Sequence, residues 1–418
     1  MAEALILVGL LVAVFVGYNI GGSSTGVAFG PAVGSRIVRK VTAGALFTVF
    51  AFLGAWTIGR KVITTMSSEI VAASAFTPAA SVGVLFFTGF ALLISNLYGV
   101  PASTSMTAVG AIVGLGLATG TLNAALMFTI LSAWIVAPLV AVLTGAFIGR
   151  YAYPYLDAKF AFGRLTNPLI AIDTQGTVPR LSVDEGVAPR DVLGSTLVVA
   201  IACYMGFSAG ASNAANAVAP LVGNGAIGAS PGILVAVGAI SVGGFTIARR
   251  TLATVGDDVT DLPILAALIV STVGATIITV LSWLGIPASL AVSTTSCIIG
   301  LGWGRASRAR TLKEIATPSA EDSVPEVATG ALKSPPATDG EETAASPTVG
   351  ELAEGEVPDP EKQQVPESRV PDVGEENPEE LSAESLFDPA ATARIVALWV
   401  ITPSISVVSA FVLFSLLG

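Results

Sequence analysis

The chain of 418 residues contains no histidine. Histidine-based metal sites, imidazole proton relays and imidazole acid–base chemistry are therefore excluded. It has two cysteines, Cys203 and Cys297, both inside apolar stretches. They read as small buried hydrophobes rather than a disulfide or metal pair. Charge is scarce as well: 12% of residues are Asp, Glu, Lys or Arg, against roughly 25% in soluble domains. With 53% hydrophobic residues and a mean hydropathy of +0.77, the composition describes an integral membrane protein.

The charge that is present is unevenly placed. Residues 314–388 hold 20 acidic and 3 basic residues, a net of −17, whereas the rest of the chain is +7. This segment is rich in Pro, Glu, Ala, Thr and Ser and poor in aromatics, so it cannot bury enough apolar surface to fold. It reads as an acidic disordered loop within 305–388. Arg305, Arg308, Arg310 and Lys313 at its mouth place it on the cytoplasmic side. None of the ten acids outside it lies deep in an apolar run. No paired carboxylates, nucleophile–base set or phosphate loop appears, and the reading is not an enzyme.

A hydrocarbon core of ~30 Å needs about 20 apolar helical residues. Residues 42–59, 80–98, 123–148, 230–248, 262–284 and 392–416 qualify. Residues 4–20 and 191–209 are apolar too, but each runs into a stretch of small and polar residues, 17–34 and 206–223. Segments 101–119 and 287–304 are shorter, hydroxyl-rich and begin after a proline. These four regions read as discontinuous or re-entrant helices. The expectation is an all-α polytopic membrane protein with roughly 10–12 membrane segments.

The order of segments repeats. Gly17 and Gly210 lie 193 residues apart, and Pro101 and Pro287 lie 186 apart. Basic loops in one half face uncharged counterparts in the other, as two inverted repeats predict. The organisation is repeat 1 over 1–149, a polar connector over 150–190, the first part of repeat 2 over 191–304, the loop over 305–388, and a final transmembrane helix over 389–418.

The candidate site residues sit where polar groups interrupt apolar sequence: Asn19 and Ser23; Ser103, Thr104 and Ser105; Ser212, Asn213 and Asn216; Ser293, Thr294 and Thr295. Proline, then hydroxyls, then an apolar run is a helix start, whose free N–H groups suit an oxyanion. Asparagine carbonyls suit a hard cation such as sodium, at Asn19, Asn213 and Asn216. Taken singly, a membrane serine or threonine more often bonds back to its own helix.

Gly210-Ala-Ser-Asn-Ala-Ala-Asn-Ala217 resembles the duplicated G-A-N-D-x-A-N-A signature of the inorganic phosphate transporter (PiT) family, with Gly17 to Ser24 and Gly34-Ser35 as the other copy. Pro101 to Met106 and Val292 to Ser296 resemble its P-V-S-T-T-H segments. The resemblance implies a multi-pass plasma-membrane permease that carries phosphate with sodium or protons, with sulfate or another oxyanion as the alternative substrate. A non-transporting sensor or scaffold is the alternative of a different class. No cofactor or nucleic acid is implied; the partners are the anion and the bilayer, and a homodimer is left open. In this alignment Ile20 and Asn213 replace the signature aspartates, Ser23 and Ser212 replace asparagines, and Met106 and Ser296 replace both histidines.

Removing residues 314–388 is expected to leave the membrane body folded and its uptake activity intact. Size-exclusion behaviour and transport of the shortened chain check this.

Overall fold

The computed structural model describes residues 2–35, 37–97, 103–159, 171–173, 180–182, 189–246, 264–309 and 389–417. The acidic loop from 310 to 388 and the Gly-Val-Pro-Ala run at 99–102 lie outside them.

The helices are α1 (Ala2–Gly34), α2 (Lys40–Thr57), α3 (Gly59–Thr64), α4 (Pro78–Leu97), α5 (Thr104–Thr119), α6 (Ala124–Phe147), α7 (Tyr153–Lys159), α8 (Pro189–Gly223), α9 (Ala229–Thr246), α10 (Ile264–Trp283), α11 (Leu290–Ala309) and α12 (Pro389–Leu417). Single π-helical turns, Thr65–Glu69 and Ile148–Ala152, extend α3 and α6. Eight described helices are long and apolar enough to cross a membrane. With the shorter α5 and the more polar α11, this agrees with the expected all-α polytopic chain. Within the connector, β1 (Ala171–Asp173) pairs antiparallel with β2 (Arg180–Ser182), a short ribbon that the sequence reading does not contain.

Two of the four segments expected to break do not. α1 runs unbroken for 33 residues through Gly17–Gly34, and α8 for 35 through Gly206–Gly223. Their polar side chains do not compete away the helical backbone. Asn19 and Thr25 donate to carbonyls one turn back, Phe15 O and Gly21 O, at 2.9 Å each. The helix starts expected after a proline fall at Thr104 for α5 and at Leu290 for α11. At 16 residues, α5 is about 24 Å long and does not reach across a bilayer.

Glycine decides which helices pair. Gly54 of α2 lies against Phe207 of α8, and Gly210 of α8 lies against Ala51 of α2. The same reciprocal contact joins α1 to α9, through Gly21 on Ile240 and Gly243 on Tyr18. Each contact meets backbone, and small residues are what allow helices this close. Likewise α5 packs on α12 through Gly110 and Gly114, and α6 on α11 through Gly145, Gly300 and Gly304. Each half's helices are therefore clasped by the other half's.

The contacts also fix direction and register. Residue numbers rise together along α1 and α9 and along α2 and α8, so these pairs run parallel. Between α1 and α8 they run oppositely: Gly9 meets Leu221 and Ser24 meets Asn213. Gly21 and Gly210 occupy equivalent contacts, as do Gly54 and Gly243, and both pairs lie 189 residues apart. That differs by one helical turn from the spacing of 193 taken from Gly17 and Gly210. The packing thus makes Ser24, not Ile20, the counterpart of Asn213.

Gly210→Ala is expected to lower stability by about 1–3 kcal/mol, because its methyl group would collide with the Ala51 backbone. Gly238 faces open space within α9, and Gly238→Ala is expected to be neutral or to stabilise by up to ~1 kcal/mol. Thermal melting of the two purified variants checks the contrast.

Candidate functional site

The polar centre forms where the start of α5 and the turn into α11 meet the crossing of α1 and α8. Both α1 and α8 continue for ten residues beyond Ser24 and Asn213 respectively. In antiparallel helices that is about 15 Å to either side, half of a ~30 Å hydrocarbon core. The cluster therefore sits near mid-depth.

Five of the sequence candidates converge there. Thr104 Oγ1 donates to Asn213 Oδ1 at 2.7 Å. Asn216 Nδ2 donates toward Asn213 Oδ1 and Ser105 Oγ at 3.2 Å each and toward Thr104 Oγ1 at 3.4 Å. Ser105 and Ser212 both donate to the Ala288 carbonyl, at 2.9 and 2.7 Å. That carbonyl belongs to the turn before α11, and Trp134 Nε1 of α6 holds the preceding Pro287 carbonyl at 2.7 Å. Elements from both halves thus share one hydrogen-bond network.

Ser103 directly precedes Thr104 of this centre. It is the residue before α5 and is fully buried, yet its hydroxyl caps no backbone N–H and has no partner among the described residues. Asn216 Oδ1 is likewise buried and without a partner among the described residues. One donor–acceptor, on the residue preceding Thr104, and one acceptor, on Asn216 itself, are thus left over. Buried polar groups are rarely left so, because each costs roughly 1–3 kcal/mol unpaired. Such atoms are where a ligand group would bind.

Asn19 lies elsewhere. Its side chain is engaged with Phe15 O and with Asn96 of α4, whose Nδ2 donates to Asn19 Oδ1 at 3.2 Å. It is five residues, about 7.5 Å, along the helix from Ser24. The side chain of Ser23 lies outside the described residues.

The second hydroxyl set is shifted too. Gly110 and Gly300 make equivalent contacts, and so do Gly114 and Gly304, all 190 residues apart, which aligns Thr104 with Thr294. Yet α11 begins at Leu290, four residues before Thr294, and Ser289 Oγ caps it by accepting from Val292 N–H at 3.3 Å. The extra residues form one additional helical turn. Ser293, Thr294 and Thr295 therefore lie inside the helix rather than at its start. Thr294 bonds back to Leu290 O and Ala291 O, and its methyl group packs on Gly274.

Ser24, in the polar stretch 17–34, joins the network by accepting from Asn213 Nδ2 at 3.3 Å. The glycine register, Gly21 with Gly210, pairs it with Asn213. Asn96, an amide in the last turn of α4 that the candidate set does not contain, is engaged with Asn19 rather than with the centre.

The site is neutral. Hydroxyl and amide donors face amide and backbone carbonyl acceptors, with no carboxylate or ammonium among them. It can offer N–H and O–H groups to an oxyanion, or carbonyl oxygens to a hard cation. Among the described residues no His/Cys/Asp/Glu cluster could hold a metal ion.

Fold and site together define a multi-pass membrane protein enclosing a neutral polar centre between the start of α5 and the turn before α11. A family model described as the phosphate transporter family matches residues 20–318. The chain belongs to the phosphate transporter family. It is 31% identical to the sulfate permease CysP of Bacillus subtilis over 72% of this chain and 77% of that one. It is 24% identical to inorganic phosphate transporter 2-1, chloroplastic, of Arabidopsis thaliana, over 73% of this chain and 68% of the relative. A solved structure described as the sodium-dependent phosphate transporter has a similar fold, with a TM-score of 0.62, 16% identity and 99% of both chains covered.

Ser103→Ala is expected to change stability by less than about 0.5 kcal/mol, since its hydroxyl bonds to none of the described residues. Asn213→Ala removes the acceptor of Thr104 and Asn216 and is expected to cost about 1–3 kcal/mol. Melting curves without substrate distinguish the two classes of residue.

Proposed function

We propose that the protein is a secondary permease of the plasma membrane that carries inorganic phosphate by alternating access, coupled to sodium or protons. The observation that carries this reading is the pair of unused polar atoms, Ser103 Oγ and Asn216 Oδ1, beside the Thr104–Asn213–Asn216 network. A tetrahedral anion bound there would gain the hydroxyls of Ser103, Thr104 and Ser105 and the amide N–H groups of Asn213 and Asn216. We read the halves as inverted repeats. The antiparallel course of α1 and α8 and the reciprocal glycine contacts support this, and such halves rocking about a fixed central site are the general basis of alternating access.

The neutral lining bears on coupling. None of the residues in the hydrogen-bonded centre titrates near neutral pH, so a coupled proton would travel on the anion itself. Sodium would instead take carbonyl oxygens, among them Asn216 Oδ1, which has no partner among the described residues.

A second reading, sulfate, rests on a specific feature. Hydrogen phosphate carries a P–OH that needs an acceptor, whereas sulfate near neutral pH carries none and asks only for donors. A site without carboxylates suits the latter, and the similarity to a sulfate permease agrees with it.

Proteoliposomes offered labelled phosphate or sulfate, with and without a sodium gradient and a pH gradient, decide between these. Phosphate uptake that Asn213→Ala and Asn216→Ala each reduce about ten- to a hundred-fold is expected, from the loss of one or two hydrogen bonds to a charged ligand. Sulfate uptake alone would replace the leading reading with the second. Absence of uptake of either anion, with a cellular response that depends on the acidic loop, would point to a sensor. Unaltered uptake in both variants would remove these asparagines from the site.

A further inference from the structure

A second polar cluster lies at the far end of α6 and α11, remote from the Asn213 centre. Arg150, in the π turn after α6, donates from Nη1 to Ser307 O at 2.6 Å and to Ser307 Oγ at 2.9 Å. Arg308 is buried and donates from Nη1 to Arg150 O at 3.2 Å. The Arg305 guanidinium stacks 4.3 Å from the ring centroid of Tyr153 on α7. Its Nη1 is buried and has no hydrogen-bond partner among the described residues. Gly149 and Gly304 let the two helices approach closely enough to gather the three guanidinium groups in one corner.

Only one carboxylate, Asp157, lies on the π turn, α7 and α11, and it has an interaction of its own. Three guanidinium groups against one carboxylate leave an excess of positive charge. Around the corner, Tyr151, Tyr155 and Trp303 are exposed. Exposed tyrosine and tryptophan at the end of membrane helices mark the depth of the lipid headgroups. A planar guanidinium with free N–H groups at that depth matches a phosphate oxygen pair.

We propose that the Arg150–Arg305–Arg308 corner binds the phosphate-bearing headgroup of an anionic lipid, with Arg305 Nη1 as its principal donor. The chemistry it recognises is a phosphate monoanion held by arginine. The surrounding aromatic girdle selects the lipid over the free ion as its source.

The test is a thermal shift of the purified full-length protein in neutral detergent, with phosphatidylglycerol, phosphatidylcholine or inorganic phosphate added. Native mass spectrometry of retained lipid accompanies it. Phosphatidylglycerol is expected to raise the melting temperature and to remain bound, while phosphatidylcholine and inorganic phosphate do neither at this corner. Arg305→Gln and Arg150→Gln should each abolish that shift, and Arg305→Lys should retain part of it. Should Arg305→Gln fail to fold, Arg150→Gln decides. An equal shift in the glutamine variants would overturn the assignment. A shift with inorganic phosphate alone that those variants abolish would overturn the lipid and make the corner a free-anion site.

Discussion

A hydroxyl or amide held in hydrocarbon must find a partner, and the centre of this protein follows from that constraint. At the centre neither half pairs all of its polar residues alone. Asn213 of α8 bonds to Thr104 at the start of α5 and to Ser24 of α1. Ser105 and Ser212 need a carbonyl from the second half's turn. The halves are joined at mid-depth by a network that exists only when both are in place. The same network leaves Ser103 Oγ and Asn216 Oδ1 over.

That network could not form if the helices stood at ordinary distance. Long side chains would hold α1 from α9, and α2 from α8, some 8–10 Å apart, and the polar groups would open to lipid or water. Glycine on both sides of each contact removes that spacing. Because the contacts are reciprocal and recur at constant offsets, they also record the duplication more reliably than the polar motif does. A motif can drift once its chemistry changes, whereas a glycine facing a carbonyl cannot be replaced without moving a helix. This is why Gly21 and Gly210 give the register, while Asn19 and Asn213, similar in kind, do not occupy matching positions.

The sequence made the architecture legible because hydrocarbon imposes length and apolarity on each helix. The limits of α2, α4, α6, α9 and α10 fall within a few residues of the apolar runs. It also located much of the centre: Thr104, Ser105, Ser212, Asn213 and Asn216 stood out because their polarity is costly at that depth. It did not reveal which polar residues are spent locally. Asn19 is held by Asn96 and its own helix, and Thr294 bonds back along α11; composition cannot distinguish such residues from ligands. Nor could it show that four extra residues after Pro287 become a full helical turn. A glycine-rich helix and a broken one also read alike in sequence. The contacts made by those glycines go with α1 and α8 being unbroken.

The absence of charge at the centre is the feature in which this chain departs most from the signature it resembles. Carboxylates beside an oxyanion would repel it unless a cation lay between them, which ties anion binding to ion binding. With Asn213 and Ser24 in those positions, the repulsion is gone and so is the need for a cation to offset it. What remains is a set of dipoles. Dipoles oriented as donors favour an anion by virtue of being fixed, and the links to Ala288, Ser24 and Thr104 fix them. Selectivity between tetrahedral anions then turns on acceptors rather than on charge. A protonated oxyanion can place its hydroxyl on Asn216 Oδ1 or on the Ser103 hydroxyl, two side-chain acceptors without a partner among the described residues. A fully deprotonated oxyanion needs neither as an acceptor and asks only for donors.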